Sequence, residues 1–144
     1  MPTNVPILLV EDDLVDVKAI KRAFQQHKLT NPLYVCSNGA QALTYLRHEP
    51  PYTDPASAPP PGIILLDINM PVMNGIEFLR EMKADPAIKQ TPVIVLTTSK
   101  EDSDRIQGYE LGIAGYIVKP TGFPKFFEAI KVIDLYWSLC ELPS

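Results

Sequence analysis

A doubly wound α/β fold, one parallel sheet with helices on both faces, is predicted by three observations. Five short aliphatic runs recur along 144 residues, each of a length that suits a strand buried on both faces. Stretches with apolar residues at helical spacing lie between them. Several of the runs also end abruptly on polar or charged residues, where open sheets of this kind gather their sites. Strict alternation of strand and helix makes the strands parallel and the crossovers right-handed.

The first run is Ile7-Leu8-Leu9-Val10, and it ends on Glu11-Asp12-Asp13. Val17, Ile20, Ala23 and Phe24 then recur at helical spacing, opposite Lys18, Lys21, Arg22 and Gln25, which predicts an amphipathic helix from about Leu14 to Lys28. Asn31-Pro32 closes the connection to a second strand, Leu33 to Ser37, with its β-branched and aromatic residues. Asn38-Gly39 turns the chain into a second helix with Ala42, Leu43 and Leu46 inward. That helix must stop near Glu49, because Pro50 and Pro51 follow. Residues 50–61 hold Pro50, Pro51, Pro55, Pro59, Pro60 and Pro61 and read as an exposed, stiffened insertion.

The third run, Ile63-Ile64-Leu65-Leu66, ends on Asp67. Asn74-Gly75 leads into a helix with Ile76, Leu79 and Met82 inward, ending before Pro86. The fourth strand, Val93-Ile94-Val95-Leu96, ends on Thr97-Thr98-Ser99. A weaker fourth helix is expected over about Asp102 to Leu111, interrupted by Gly108, where glycine costs about 1 kcal/mol relative to alanine. Gly115-Tyr116-Ile117-Val118 makes the fifth strand and Lys119-Pro120 ends it. A last helix runs from about Phe123 or Pro124 to Leu139.

Composition narrows the classes. With 46% hydrophobic and 21% charged residues, and no apolar run near the ~20 residues that span a bilayer, a soluble single domain is expected, cytoplasmic and without a signal peptide. A net charge of -4 and a pI near 5.1 argue against a nucleic-acid surface. Cys36 and Cys140 lack metal-ligand spacing and read as thiols in a reducing compartment. His27 and His48, each alone on a predicted helix, are assigned structural or solvated roles.

Four strand ends therefore deliver Glu11 and Asp12, Asp67, Thr97 and Lys119 to one edge of the sheet. Clustered carboxylates repel unless a cation joins them, and an all-oxygen set of this kind suits Mg²⁺. An ammonium and a hydroxyl beside them complete a pocket for a phosphoryl group. Asp67 is the candidate nucleophile, forming an aspartyl phosphate.

The segments Val10-Glu11-Asp12-Asp13, Leu66-Asp67-Ile68-Asn69-Met70-Pro71, Asn74-Gly75, Leu96-Thr97-Thr98 and Gly115-Tyr116-Ile117-Val118-Lys119-Pro120 carry a resemblance. In order and spacing the chain resembles a receiver domain of two-component response regulators, from Val5 to about Leu139. The resemblance implies a flavodoxin-like five-stranded sheet of order 2-1-3-4-5 with five helices. It implies one receiver domain over 1–144, with a core at 5–139, the insertion at 50–61 and a short extension at 140–144. Asp67 would take its phosphoryl group from the phosphohistidine of a sensor histidine kinase. Asp12, Asp67 and the backbone carbonyl of Asn69 would ligate Mg²⁺, and Glu11 would act through a water. Lys119 would pair with the phosphoryl group or, before it arrives, with Asp67. Thr97 would be the switch hydroxyl and Tyr116 the aromatic that follows it inward.

No output domain follows in the sequence, so a stand-alone receiver that signals by protein contact, not an enzyme with a turned-over substrate, is expected. In the last helix Phe123, Phe126, Phe127, Ile130, Ile133 and Trp137 share one face. Beyond Lys131 the opposite face turns apolar through Val132, Leu135, Tyr136 and Leu139, from which a homodimer on the fourth-strand and last-helix side is expected, with a covering tail segment as the alternative. With the proline-rich insertion and the aromatic C-terminal segment, the chain is similar to the cyanobacterial phytochrome response regulators, which implies a phytochrome kinase as donor. Two alternatives stay open: a haloacid-dehalogenase-type phosphatase, which would want a second Asp where Asn69 stands, and a degenerate receiver acting as an interaction module.

Overall fold

The structure, a computed structural model, describes residues 5–26, 28, 30–68, 70, 72–97 and 112–118, with backbone alone at Thr97 and 115–118. The strands are β1 (Ile7–Val10), β2 (Leu33–Cys36), β3 (Ile63–Asp67), β4 (Val93–Thr97) and β5 (Gly115–Val118). They form one parallel sheet in the order β2-β1-β3-β4-β5. β1, β3 and β4 are its centre, and the aliphatic runs expected to be buried on both faces are: Ile7 to Val10 and Ile63 to Leu66 are each at most 1% exposed. The expected order and parallel sense hold. Three helices lie among the described residues, α1 (Leu14–Gln26), α2 (Gly39–Leu46) and α3 (Gly75–Ala84). The expected fourth and fifth helices fall outside the described residues.

Side chains alternate across the sheet and so build two separate cores. Ile7, Leu9, Ile63, Leu65, Ile94 and Leu96 pack with Val17, Ile20, Ala23 and Phe24 of α1. Leu8, Val10, Ile64, Leu66, Val93 and Val95 pack on the other face with α2 and α3, where Phe78, Leu79 and Met82 are completely buried. Register is continuous across the central strands, with Val10 beside Leu66 and Asp67 beside Leu96. The carboxyl ends of β1 and β3 therefore lie side by side.

Helix ends differ from the pattern-based expectation in informative ways. α1 closes at Gln26 rather than Lys28, which has left-handed backbone (φ 56). α2 closes at Leu46, three residues before Glu49. His48, expected on a helix, has left-handed backbone instead (φ 56). Its N–H donates to Tyr45 O (3.1 Å) and that of Glu49 to Thr44 O (3.1 Å), the pairing of a Schellman stop. α3 opens with a capping box: Asn74 Oδ1 accepts from Glu77 N (2.9 Å) and Glu77 Oε1 from Asn74 N (3.3 Å).

The proline-rich insertion is exposed over Thr53 to Ser57, as expected, but it is docked on both sides of that tip. Ala58 is 2% exposed, and Tyr45 donates its hydroxyl to Pro59 O (2.8 Å). Tyr52 stacks at a tilt on Tyr45 with ring centroids 5.1 Å apart. Gly62 N donates to Pro6 O (2.9 Å), so the insertion delivers the chain to β3 already beside β1. Arg47, after α2, reaches Asp85 beyond α3 (3.0 Å). The Ala87 N–H, then Arg47, hold the Asp85 carboxyl below the usual range.

Candidate functional site

At the carboxyl edge of the sheet, β1 ends and Glu11 follows at once, its N–H bonded to Cys36 O of β2 (2.9 Å). This bond carries the sheet pairing one residue past the strand and fixes where the Glu11 side chain starts. Glu11 is 2% exposed, and its Oε1 accepts from Asp13 N (3.2 Å). Asp13 in turn opens α1, accepting from Val15 N at Oδ1 (2.9 Å). The acidic triplet is thus divided in use: Glu11 is buried, Asp13 caps the helix, and Asp12 between them faces solvent.

Asp67 is the last residue of β3 and is 3% exposed. The chain then turns sharply. Ile68 N donates to Leu96 O (3.4 Å), and Gly75 N, opening α3, donates back to Ile68 O (3.1 Å). A strand end with β-sheet neighbours on both sides and a helix start beneath it leaves Asp67 little freedom of backbone position.

One carboxylate oxygen from each of Glu11, Asp12 and Asp67 lies within 4.8 Å of the other two. Among the described residues this is the one such cluster of potential ligands. Three carboxylates this close repel one another, and a shared cation would turn that repulsion into attraction. The donor set is all oxygen, two members buried and one open to water. That fits a hard divalent cation that keeps part of its hydration shell, and not a soft metal, which would want Cys or His. The only described cysteine, Cys36, is buried and free, and burial pushes its thiol up to about 11.

Of the residues singled out from sequence, the structure brings together Glu11, Asp12 and Asp67. Thr97 ends β4 one strand away from Asp67, its backbone paired with Val118 of β5. Its side chain, that of Tyr116, and Asn69, Lys119, Val132, Leu135, Tyr136 and Leu139 lie outside the described residues. Sequence reading missed Asp13 as the α1 cap and Gly75 as the residue on which the turn after Asp67 rests. The spacing Asn74-x-x-Glu77 was a signal for the start of α3, whereas nothing local marks the contact of Gly75 with Ile68.

The family profile described as "Response regulator receiver domain" matches residues 7–131. The response regulator Rcp1 of Synechocystis sp. is 34% identical over 131 residues, 91% of this chain and 87% of that protein. Among solved structures, the phosphorylated cyanobacterial phytochrome response regulator RcpA superposes with a TM-score of 0.81 at 36% identity, covering 93% of this chain and 94% of that one. The Mn²⁺-bound form of Rcp1 gives 0.78 at 33% identity, covering 92% and 94%.

Proposed function

The chain belongs to the response regulator receiver-domain family, and from that premise we propose that it accepts a phosphoryl group on Asp67 from a sensor histidine kinase and passes the signal on by protein contact. The observation that carries the reading is the buried Asp67 carboxylate at the end of a central strand, within 4.8 Å of those of Glu11 and Asp12. In the transfer, an Asp67 Oδ attacks phosphorus and a P–O bond forms as the P–N bond to the donor histidine breaks. The electron pair leaves with the imidazole, which then takes a proton. Burial favours the step by stripping water from the nucleophile and holding it in line.

Mg²⁺, when bound, neutralises the carboxylates and the phosphoryl oxygens. Asp12 and Asp67 with the Asn69 carbonyl would hold it, and Glu11 would act through a water. By the family resemblance, Lys119 pairs with the phosphoryl group, and Thr97 and Tyr116 relay its presence. The similarity to Rcp1 and RcpA supports a phytochrome kinase as the donor. The chemistry is that of a signalling protein, with no turned-over substrate. A single receiver domain in the cytoplasm is the setting proposed, and no helix among the described residues is long and apolar enough to cross a membrane. The apolar run Val132, Leu135, Tyr136 and Leu139 supports a homodimer through the last helix, with no part for nucleic acid.

A small phosphodonor with Mg²⁺ should add one phosphoryl group, mapped to Asp67 by borohydride trapping, and Asp67→Asn should abolish it. Stoichiometric labelling of the Asn variant would sink the assignment. Sedimentation of the wild type against Tyr136→Glu tests the dimer, which is rejected by identical monomeric profiles.

A further inference from the structure

Two glycines from two different helices approach the loop that follows Asp67. Gly75 opens α3 so close beneath the turn that a Cβ there would lie 2.6 Å from Ile68 Cα and 3.1 Å from the Asp67 carbonyl oxygen. Both are backbone atoms and cannot swing aside as the far end of a side chain can. Gly39 opens α2, 28 residues before Asp67 in the sequence. A Cβ there would meet Met73 Cγ and Met73 O at 2.9 Å each and Phe78 Cβ at 3.1 Å. Each glycine also donates its N–H to what it touches, Gly75 to Ile68 O (3.1 Å) and Gly39 to Met73 O (3.2 Å).

Between these two latches the loop passes through Val72, whose φ is 69. For a β-branched residue that backbone is strained, and it persists only where the surroundings impose it. The Val72 side chain is 81% exposed and so does little to impose it. The backbone latches at Met73 and Ile68, one on each side, are the contacts placed to do so.

We propose that Gly39 and Gly75 are positioning residues for phosphoryl transfer: by admitting α2 to van der Waals contact with Met73 and α3 to contact with Ile68, they set where the Asp67 carboxylate stands relative to those of Glu11 and Asp12. The proposal rests on Asp67 being the phosphoacceptor. An added methyl at 75 displaces the Asp67–Ile68 backbone directly. One at 39 pushes on Met73, part side chain and part backbone, and reaches Asp67 through the loop. A misplacement approaching 1 Å costs a positioned reaction about 100-fold, and shifts of a few tenths of an ångström cost less.

The test compares Gly75→Ala, Gly39→Ala and a control, Ile20→Ala, whose side chain is buried about two turns along α1 from the Asp13 cap and touches neither α2 nor α3 in its core. Labelling rates are measured at saturating phosphodonor and metal, and Mn²⁺ affinity by electron paramagnetic resonance without donor. Gly75→Ala should lose at least about 10-fold in rate and in Mn²⁺ affinity, and Gly39→Ala a smaller amount in both. The control should lose melting temperature but neither rate nor affinity. If the wild type is labelled and Asp67→Asn is not, yet both glycine variants match the wild type, the positioning role is overturned while the phosphoacceptor stands. If the wild type is not labelled, the underlying reading fails. A positioning role requires folded variants, so loss of fold in both, with no folded fraction by circular dichroism, also overturns it. Where only Gly75→Ala fails to fold, Gly39→Ala decides.

Discussion

Replacing Asp12 by Asn should raise the stability of the metal-free protein and lower that of the protein in Mg²⁺. Asp12 is exposed, so its interaction with the other two carboxylates is reckoned in a water-like dielectric. At the 4.8 Å limit of the cluster, unit charges repel by about 0.9 kcal/mol per pair. With two partners, Asp12→Asn should relieve about 1.7 kcal/mol, or roughly 5 °C in melting temperature for a domain this size, less at high salt. With Mg²⁺ at about a hundred times its dissociation constant, the wild type gains about 2.7 kcal/mol by mass action. A variant binding about 100-fold more weakly gains only about 0.4 kcal/mol. The order of stabilities therefore reverses between EDTA and Mg²⁺. Thermal melts in both, at low and high NaCl, read this directly. The reasoning is refuted if the Asn variant melts no higher than wild type in EDTA, or if Mg²⁺ raises its melting temperature as much as it raises that of the wild type.

Further outcomes follow from the loop and the cores. Val72→Asn should stabilise the protein by about 1 kcal/mol, because Asn enters the left-handed region at much lower cost; an unchanged urea midpoint would remove the strain argument. Phe78→Ala, at a fully buried site, should cost about 3 to 5 kcal/mol, visible as a lower urea midpoint with the m-value retained. Burial holds the Cys36 thiol protonated up to about 11, against an ordinary 9.0. The unfolded chain releases that proton first, so the stability is complete below pH 9 and is lost as pH rises from 9 to 11, by about 1.4 kcal/mol per unit. Burial also pushes Tyr45 and Tyr52 up, which adds to the loss. Cys36→Ala should flatten the slope between pH 9 and 11, and an unaltered slope would assign it elsewhere.

Elements whose identity rests on short-range pattern were legible in the sequence. Ile7 to Val10 and Ile63 to Leu66 need no context to read as doubly buried strands, and each is followed at once by an acid, which is why the grouping of Glu11, Asp12 and Asp67 is legible from the sequence. Features that depend on partners far along the chain were not legible. The stop of α2 depends on His48 entering the left-handed region, which no periodicity marks. The docking of the insertion depends on Tyr45 finding the carbonyl of Pro59 and the ring of Tyr52. The approach of Gly39 to Met73 joins residues 34 apart in the sequence, and the Asn38-Gly39 pair reads locally as nothing more than a turn.

The alternation of side chains that divides the interior in two also counts out the acids. Ile7 and Leu9 point toward α1, and so do Ile63 and Leu65; Asp67 stands next in the same parity at the end of β3, and Glu11 one residue past the end of β1. The 50–61 segment lies between α2 and β3, outside the strands, so its length leaves that phase untouched. Within β1 or β3, however, a single residue gained or lost would carry one carboxylate through the sheet to the opposite side and separate it from its neighbour. Only changes by pairs keep the acids in phase, so these two strands are under an even-number rule.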